Sequence, residues 1–316
     1  RVEQNALGRA ILTDNTGYTQ ALSVWVRDEI TSGRWTVVPG LRVEAINNSF
    51  TNRIVGAKQD NDYLVALPGV GALYRATDSI DLIAGAHRGF SPAVPSLTDG
   101  LDAEESVNYE FGARWRSAFG RFEAIGFLND YSNLTAVCTI SAGCTPDELD
   151  TQTNAGEVRT QGVEFGWNHT IEPGVGAVTI PLAFTYTYTQ AEFQEDFIST
   201  NPQFGIVQSG FELPYIPPQR ANLTVGVNAD NWGVNASISY IDRMRDVAGT
   251  GDFAADQGSD DTTIVDLAAH YDISDRWTVS GRIDNVFDEV YVVSRRPFGA
   301  RPGKPLSVQL MVAFNL

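Results

Sequence analysis

The chain has 316 residues, 43% of them apolar and only 19% charged, with 39 acids against 22 bases for a net charge of −17. That balance excludes a nucleic-acid backbone as partner, because phosphate binding needs clustered Lys and Arg. Two cysteines exclude a disulfide framework and a four-thiolate metal site. No apolar run is long enough for a transmembrane helix, no signal peptide is evident, and the chain opens on Arg1.

From near Tyr18 onward the sequence alternates apolar and polar residues in runs rich in Val, Ile, Tyr, Phe, Trp and Thr, with almost no helical periodicity. The first strand ends at a short turn near 30–34, and Trp35 follows it at once. A long loop is expected at 50–62, a short turn at 76–79 and a long loop at 91–106. Trp115 comes just before the short turn at 117–120. The run from Phe122 to Asp130 is the least regular. After a long loop at 133–154, Val163, Phe165 and Trp167 oppose Gly162, Glu164, Gly166 and Asn168. A short turn at 170–176 leads to Leu182, Phe184, Tyr186 and Tyr188, set against Ala183, Thr185, Thr187 and Thr189. A long loop at 192–219 precedes Leu223, Val225 and Val227, which oppose Asn222, Thr224, Gly226 and Asn228. Trp232 follows a short turn at 230–231, a long loop occupies 245–262, and Trp277 follows a short turn at 273–276. Beyond a long loop at 287–305, Leu306, Val308, Leu310, Val312 and Phe314 share one face. Ser307, Gln309, Met311, Ala313 and Asn315 share the other.

About 13 strands joined alternately by short turns and long loops describe an all-β, antiparallel, up-and-down meander. A soluble sandwich would mix connections of irregular length. Short turns on one side, long loops on the other and tryptophans beside the turns are the marks of a transmembrane β-barrel of an outer membrane.

Several stretches carry a family resemblance: Trp35-Thr36-Val37-Val38-Pro39-Gly40-Leu41-Arg42, Leu67-Pro68-Gly69-Val70-Gly71 and His87-Arg88-Gly89-Phe90-Ser91-Pro92. Further along come Glu104-Glu105-Ser106-Val107-Asn108-Tyr109-Glu110-Phe111-Gly112, Gly162-Val163-Glu164 and Tyr186-Thr187-Tyr188-Thr189. Pro217-Pro218-Gln219-Arg220 and Asp284-Asn285-Val286-Phe287-Asp288-Glu289-Val290-Tyr291 complete the set. Together, in order and over nearly the whole chain, they resemble the C-terminal part of the barrel in TonB-dependent outer-membrane receptors of the ferric-citrate and siderophore type. The resemblance implies a 22-strand barrel with an N-terminal plug domain inside it and a TonB box before the plug. It implies TonB-coupled import of a ferric chelate (iron citrate or siderophore-like) across the outer membrane of a Gram-negative cell, with no cofactor and no catalysis. The implied partners are TonB, the chelate, outer-membrane lipid and lipopolysaccharide.

Nothing in the sequence matches the plug or the box, so residues 1–316 are expected to be the C-terminal portion of the barrel domain, about 13 of its strands. The remaining strands and the plug would come from the same protein or another chain, because an open edge in hydrocarbon leaves backbone groups unsatisfied. The family usually ends on an aromatic residue, and here Phe314 is followed by Asn315 and Leu316. A passive porin is the alternative: its length fits, but the long loops and the motifs oppose it. An outer-membrane hydrolase lacks a nucleophile–base pair.

The long loops carry most of the negative charge, which serves solubility and divalent-cation bridging to lipopolysaccharide or else selects against anions. The last loop is basic, with Arg295, Arg296, Arg301 and Lys304, while Arg243 and Arg245 sit at the start of the loop before it and Arg88 near the mouth. Arginine binds carboxylates bidentately, so Arg88, Arg243, Arg245, Arg295 and Arg296 are candidate contacts for an anionic chelate. Pairing with loop acids, or lining the inner wall, is the other reading. Cys138 and Cys144, in Cys138-Thr139-Ile140-Ser141-Ala142-Gly143-Cys144, are expected to form a disulfide outside the cytoplasm, with a metal pair or free thiols as alternatives. His87, His169 and His270 lie on different strands without ligand spacing, and the acid runs Asp102-Ala103-Glu104-Glu105 and Asp260-Asp261 lack calcium-loop spacing, so no metal site is expected.

Overall fold

The computed structural model describes residues 2–5, 8–11, 14–54, 56–93, 95, 102–139, 142–145, 151–154, 156–174, 176–296 and 299–314. Arg1, Ile140, Ser141, Asn315 and Leu316, named above, lie outside the described residues, as do parts of the long loops. Thirteen strands form one continuous wall. They are β1 (Asn15–Arg27), β2 (Trp35–Asn52), β3 (Ala57–Arg75), β4 (Ile80–Ser91), β5 (Glu104–Ser117), β6 (Gly120–Ser132) and β7 (Val158–Ile171). They continue as β8 (Ile180–Phe193), β9 (Gln219–Asn228), β10 (Trp232–Ile241), β11 (Thr262–Ser274), β12 (Trp277–Asp284) and β13 (Ser307–Phe314). Every strand pairs antiparallel with its neighbours in sequence, from β1 to β13. Ile30–Ser32 extends β1 without a change of register, since Arg27 faces Gly40 and Ile30 faces Val37. The interruption between them lies opposite Pro39, which has no N–H to give the ladder, although Asp28 N still donates to Pro39 O at 3.1 Å. Val2–Asn5 and Gly8–Ile11 form a separate hairpin.

Directly paired residues share a face, so parity at one strand fixes the side of every residue along the wall. One row runs Trp115, Phe122, Trp167, Phe184, Leu223, Ile238, Val265 across β5 to β11. It is apolar throughout. The last three strands and β10 continue that face with Val312, Val279, Tyr271 and Trp232. Leu310, Val312 and Phe314 belong to it, whereas Gln309 and Met311 share the opposite face with Arg282 and Ser280. The opposite face is polar: one of its rows reads Arg75, Asp81, Arg114, Glu123, Gly166, Thr185, Asn222, Ser239.

The short connections, at 33–34, 76–79, 118–119, 172–179, 229–231 and 275–276, all lie at one end of the wall. There the indoles pack on the apolar face, Trp35 with Tyr74 at 4.6 Å, Trp115 with Phe122 at 5.1 Å, Phe122 with Trp167 at 6.2 Å and Trp277 with Phe314 at 4.7 Å between ring centroids. Long connections cover 92–103, 133–157, 194–218, 242–261 and 285–306 at the other end. The long loop expected at 50–62 is instead ladder. β2 and β3 run on past the apolar rows and close over 53–56, with Ser49 facing Asp60 and Asn52 facing Ala57.

Candidate functional site

Two of the long loops fold over the polar face and narrow the space it bounds. In the first, 92–103, the described residues Ala93 and Pro95 lie there. Asn48, on the polar face of β2, donates its Nδ2 to the carbonyl of buried Ala93 at 3.0 Å, and the Pro95 ring rests against Gly17. The second is 194–218. At the tops of β7, β8 and β6, Val158 faces both Phe193 and Tyr131. Val207, Phe197, Phe204, Phe211 and Leu213 from the loop close on them as an apolar cluster. The Phe193 ring meets Phe197 and Phe204 edge-on at 5.4 and 5.6 Å. Burial of a phenylalanine of this size contributes about 1.5–3 kcal/mol, enough to hold the loop inward.

Polar bonds then stitch the loops into one crown. Arg245 is buried, and its guanidinium bonds Glu212 and the Gly251 carbonyl, both at 2.7 Å. Arg243 and Arg245 both lie against the Phe253 ring, 4.0 and 5.0 Å from its centroid. Arg295 donates Nε to the Gly258 carbonyl at 2.8 Å and approaches Asp260 at 3.8 Å. Val292 N donates to the Asp260 carboxylate at 2.8 Å, and Asp260 N to the Val292 carbonyl at 3.0 Å. Tyr215 links three loops: its N–H donates to the Arg245 carbonyl at 3.1 Å, and its hydroxyl meets Ser294 Oγ at 3.0 Å. It holds a left-handed φ of 60°, a conformation costing about 1–2 kcal/mol for a residue with a Cβ. Burial pushes the Tyr215 phenol pKa up; the Ser294 hydroxyl opposes that and the Asp246 carboxylate adds to it.

The cysteines belong to this crown. Cys138 and Cys144 are joined in a disulfide, with Cα atoms 5.8 Å apart. Cys138, Ala142 and Cys144 are buried together. Arg296 donates Nη1 to the Ala142 carbonyl at 3.4 Å, and Gly143 lies beside Arg296 and Pro202. The small ring is thus held between 194–218 and 285–306.

Four of the five candidate arginines therefore converge. Arg245 and Arg295 both meet Gly258, and Tyr215 ties Arg245 to the loop carrying Arg296. Arg88 does not join them. It shares the side of Val107 and Asp130 at the upper margin of the apolar face, where it pairs with Glu105. Glu212, Phe253 and Tyr215 position the arginines and were not singled out in the sequence; the run Pro214-Tyr215-Ile216-Pro217-Pro218 is the signal of a stiff loop segment that points to Tyr215. His87, His169 and His270 sit on β4, β7 and β11, and no group of three or more His, Cys, Asp or Glu side chains is placed to hold a metal among the described residues.

A two-faced antiparallel meander with an aromatic belt at its short-turn end and a loop crown at the other defines the wall of a membrane β-barrel. Comparison with known proteins narrows the class. Residues 4–286 match the family described as TonB dependent receptor-like, beta-barrel. The metal-pseudopaline receptor CntO of Pseudomonas aeruginosa is 24% identical over 313 residues, covering 93% of this chain and 41% of that protein. The pesticin receptor of Yersinia pestis is 22% identical over 315 residues, covering 94% and 43%. Among solved structures, the unliganded ferric citrate transporter FecA superposes with a TM-score of 0.73 at 23% identity, over 95% of this chain and 45% of that one. The siderophore receptor PiuA from Acinetobacter baumannii gives 0.75 at 19% identity, over 95% and 44%. The chain belongs to the TonB-dependent receptor β-barrel family, a family of the Gram-negative outer membrane. It spans less than half the length of these relatives.

Proposed function

We propose that this chain forms part of the wall and much of the extracellular crown of an outer-membrane receptor that imports an anionic metal chelate, a ferric carboxylate or siderophore, with energy delivered by TonB. The apolar face meets lipid and the polar face lines the lumen. The remaining strands, the plug and the TonB box belong to the rest of the receptor. The observation that carries this reading is the crown itself: loops folded over the lumen and stitched by arginines suit a closed binding mouth. A passive porin would need that mouth open.

Within the crown, Arg295 and Arg296 are the proposed ligand contacts. Arg296 makes one long bond to a carbonyl, and Arg295 spends its Nε on the Gly258 carbonyl and only approaches Asp260 with Nη2, so both retain terminal donors for a carboxylate. Arg243 and Arg245 are committed to Phe253 and Glu212 and serve to position the loop, while Arg88 contacts the outer rim, where lipopolysaccharide headgroups lie. The test uses the intact receptor in cells with radiolabelled ferric citrate and ferric siderophores. Arg295→Ala with Arg296→Ala should weaken binding at least tenfold, since charge-assisted bonds contribute about 1.5–3 kcal/mol each. Unchanged affinity in a correctly assembled receptor would refute the assignment, and steady ion conductance by the intact protein in planar bilayers would favour the porin.

A further inference from the structure

At the short-turn end, far from the crown, the polar face carries a concentration of arginines. Arg75, Arg114, Arg116 and Arg121 all project from it, against the acids Asp81 and Glu123. The acids are already committed. Arg114 pairs with Glu123, and Arg116 Nη1 donates to Asp81 Oδ2 at 2.7 Å, with Asp81 buried. Arg121 faces Arg116 directly across the ladder and has no acidic partner among the described residues. Asp81 and the Asp78 carbonyl engage Arg116 from the β4 side, away from Arg121 on β6, so the charge of Arg121 is left unanswered, in a chain whose total is −17.

The neighbouring row makes room for a ligand. From Arg116 and Arg121 it continues as Asn168, Ala183, Thr224 and Ser237, all small or polar. The result is an open recess of about 610 Å³ in which Arg116, Arg121, Asn168 and Thr224 stand beside the apolar Pro181 and Leu182. That volume suits a small-molecule ligand, and its walls supply amide and hydroxyl donors beside the two charges. The acidic loops do not cancel this field. From Glu104 to Arg116 the strand runs about 40 Å at about 3.3 Å per residue. Screening at physiological ionic strength limits exposed charges to about 8 Å.

We propose that Arg121, with the paired Arg116 facing it, forms an oxyanion site on the inner wall near the periplasmic exit, taking a carboxylate or similar group. The proposal rests on the reading that the polar face lines the lumen of an importer. The same chemistry has two sources: an anionic solute on its way inward, or a carboxylate side chain from another part of the receptor.

Site-resolved arginine labelling separates these cases. The intact receptor is treated with phenylglyoxal, with citrate or a neutral polyol of similar size as probe, and each arginine is followed by peptide mass spectrometry. For a mobile oxyanion, Arg121 reacts readily and citrate, but not the polyol, slows it at least fivefold. If a protein carboxylate is the source, Arg121 is shielded without citrate and Arg121→Gln lowers the receptor's melting temperature. Ready labelling of Arg121 that citrate does not slow overturns the site. Arg295 and Arg296 are read in the same digest, so protection or its absence there judges the crown assignment separately. Arg121→Gln makes a second test that spares the Asp81 pair: uptake of radiolabelled ferric citrate should fall at least fivefold with surface binding unchanged, and Arg121→Lys should restore part of it. An unchanged uptake rate for Arg121→Gln counts against a mobile oxyanion.

Discussion

Replacing Arg245 with methionine keeps most of the side-chain volume and removes the charge that joins two crown loops. The guanidinium is only 7% exposed and makes bonds at 2.7 Å to Glu212 and to the Gly251 carbonyl, besides lying 5.0 Å from the centre of the Phe253 ring. Glu212 is 44% exposed, so its pair is screened and counts for about 1 kcal/mol. The bond to the carbonyl is charge-assisted and contributes about 1.5 kcal/mol, and the ring contact about 0.5 kcal/mol. The total, about 3 kcal/mol, falls on the crown and not on the wall, because none of these partners lies on a wall strand. At 1.4 kcal/mol per factor of ten, local opening rises roughly a hundredfold. Hydrogen exchange of the intact receptor reads this at two amides, Glu212 N to Gly249 O at 2.7 Å and Tyr215 N to Arg245 O at 3.1 Å. Both should exchange about a hundredfold faster while amides of β8 and β10 stay protected. Unchanged protection at Glu212 and Tyr215 would refute the view that Arg245 clamps the loops.

Cys138 and Cys144 should be recovered as one linked peptide without reductant and resist alkylation until reduced; replacing both with Ser should cost about 2 kcal/mol of loop stability, seen as faster exchange across 133–139 and 142–145. Leu310→Arg places a charge on the lipid side at about 2–4 kcal/mol, and should deplete the heat-modifiable folded band on gels, whereas Gln309→Arg on the lumen side should leave it intact. Because burial raises the Tyr215 phenol above its ordinary value of 10.0, crown stability should be level below that pH and decline above it, where the unfolded phenol loses its proton first. Exchange of the crown amides against pH measures this, and Tyr215→Phe should abolish the decline.

The wall was legible in the sequence wherever one face was purely apolar, as in β8, β9 and β13. β6 was obscure for a physical reason. Its polar face carries Ile125 and Phe127, which lie over Gly112 and Gly162 on the neighbouring strands, so both sides of the strand read as apolar. The hairpin at 53–56 was hidden for the opposite reason. Beyond the apolar rows both sides of β2 and β3 carry polar side chains, and Asn47, Asn48, Asp60, Asn61 and Asp62 pair through backbone with no hydrophobic alternation to reveal it. In the crown, the sequence placed the arginines in the right loops but not their partners. Which arginine meets Glu212, Phe253 or Ala142 depends on how far each loop leans inward, and that is decided by the cluster around Phe193.

The nearest-neighbour pairing of the wall has a kinetic side. Each strand pairs with its neighbours in sequence, so the wall is built of local closures that keep its contact order low for a β-protein. The Cys138–Cys144 ring, separated by 6 positions, closes within a single connection and needs no other strand in place. The bond from Arg296 to Ala142 spans 154 positions and cannot form until the strands from β7 onward have stacked. The sheet and the small ring therefore need only local closures, whereas the seal of the mouth needs distant parts of the chain already in place.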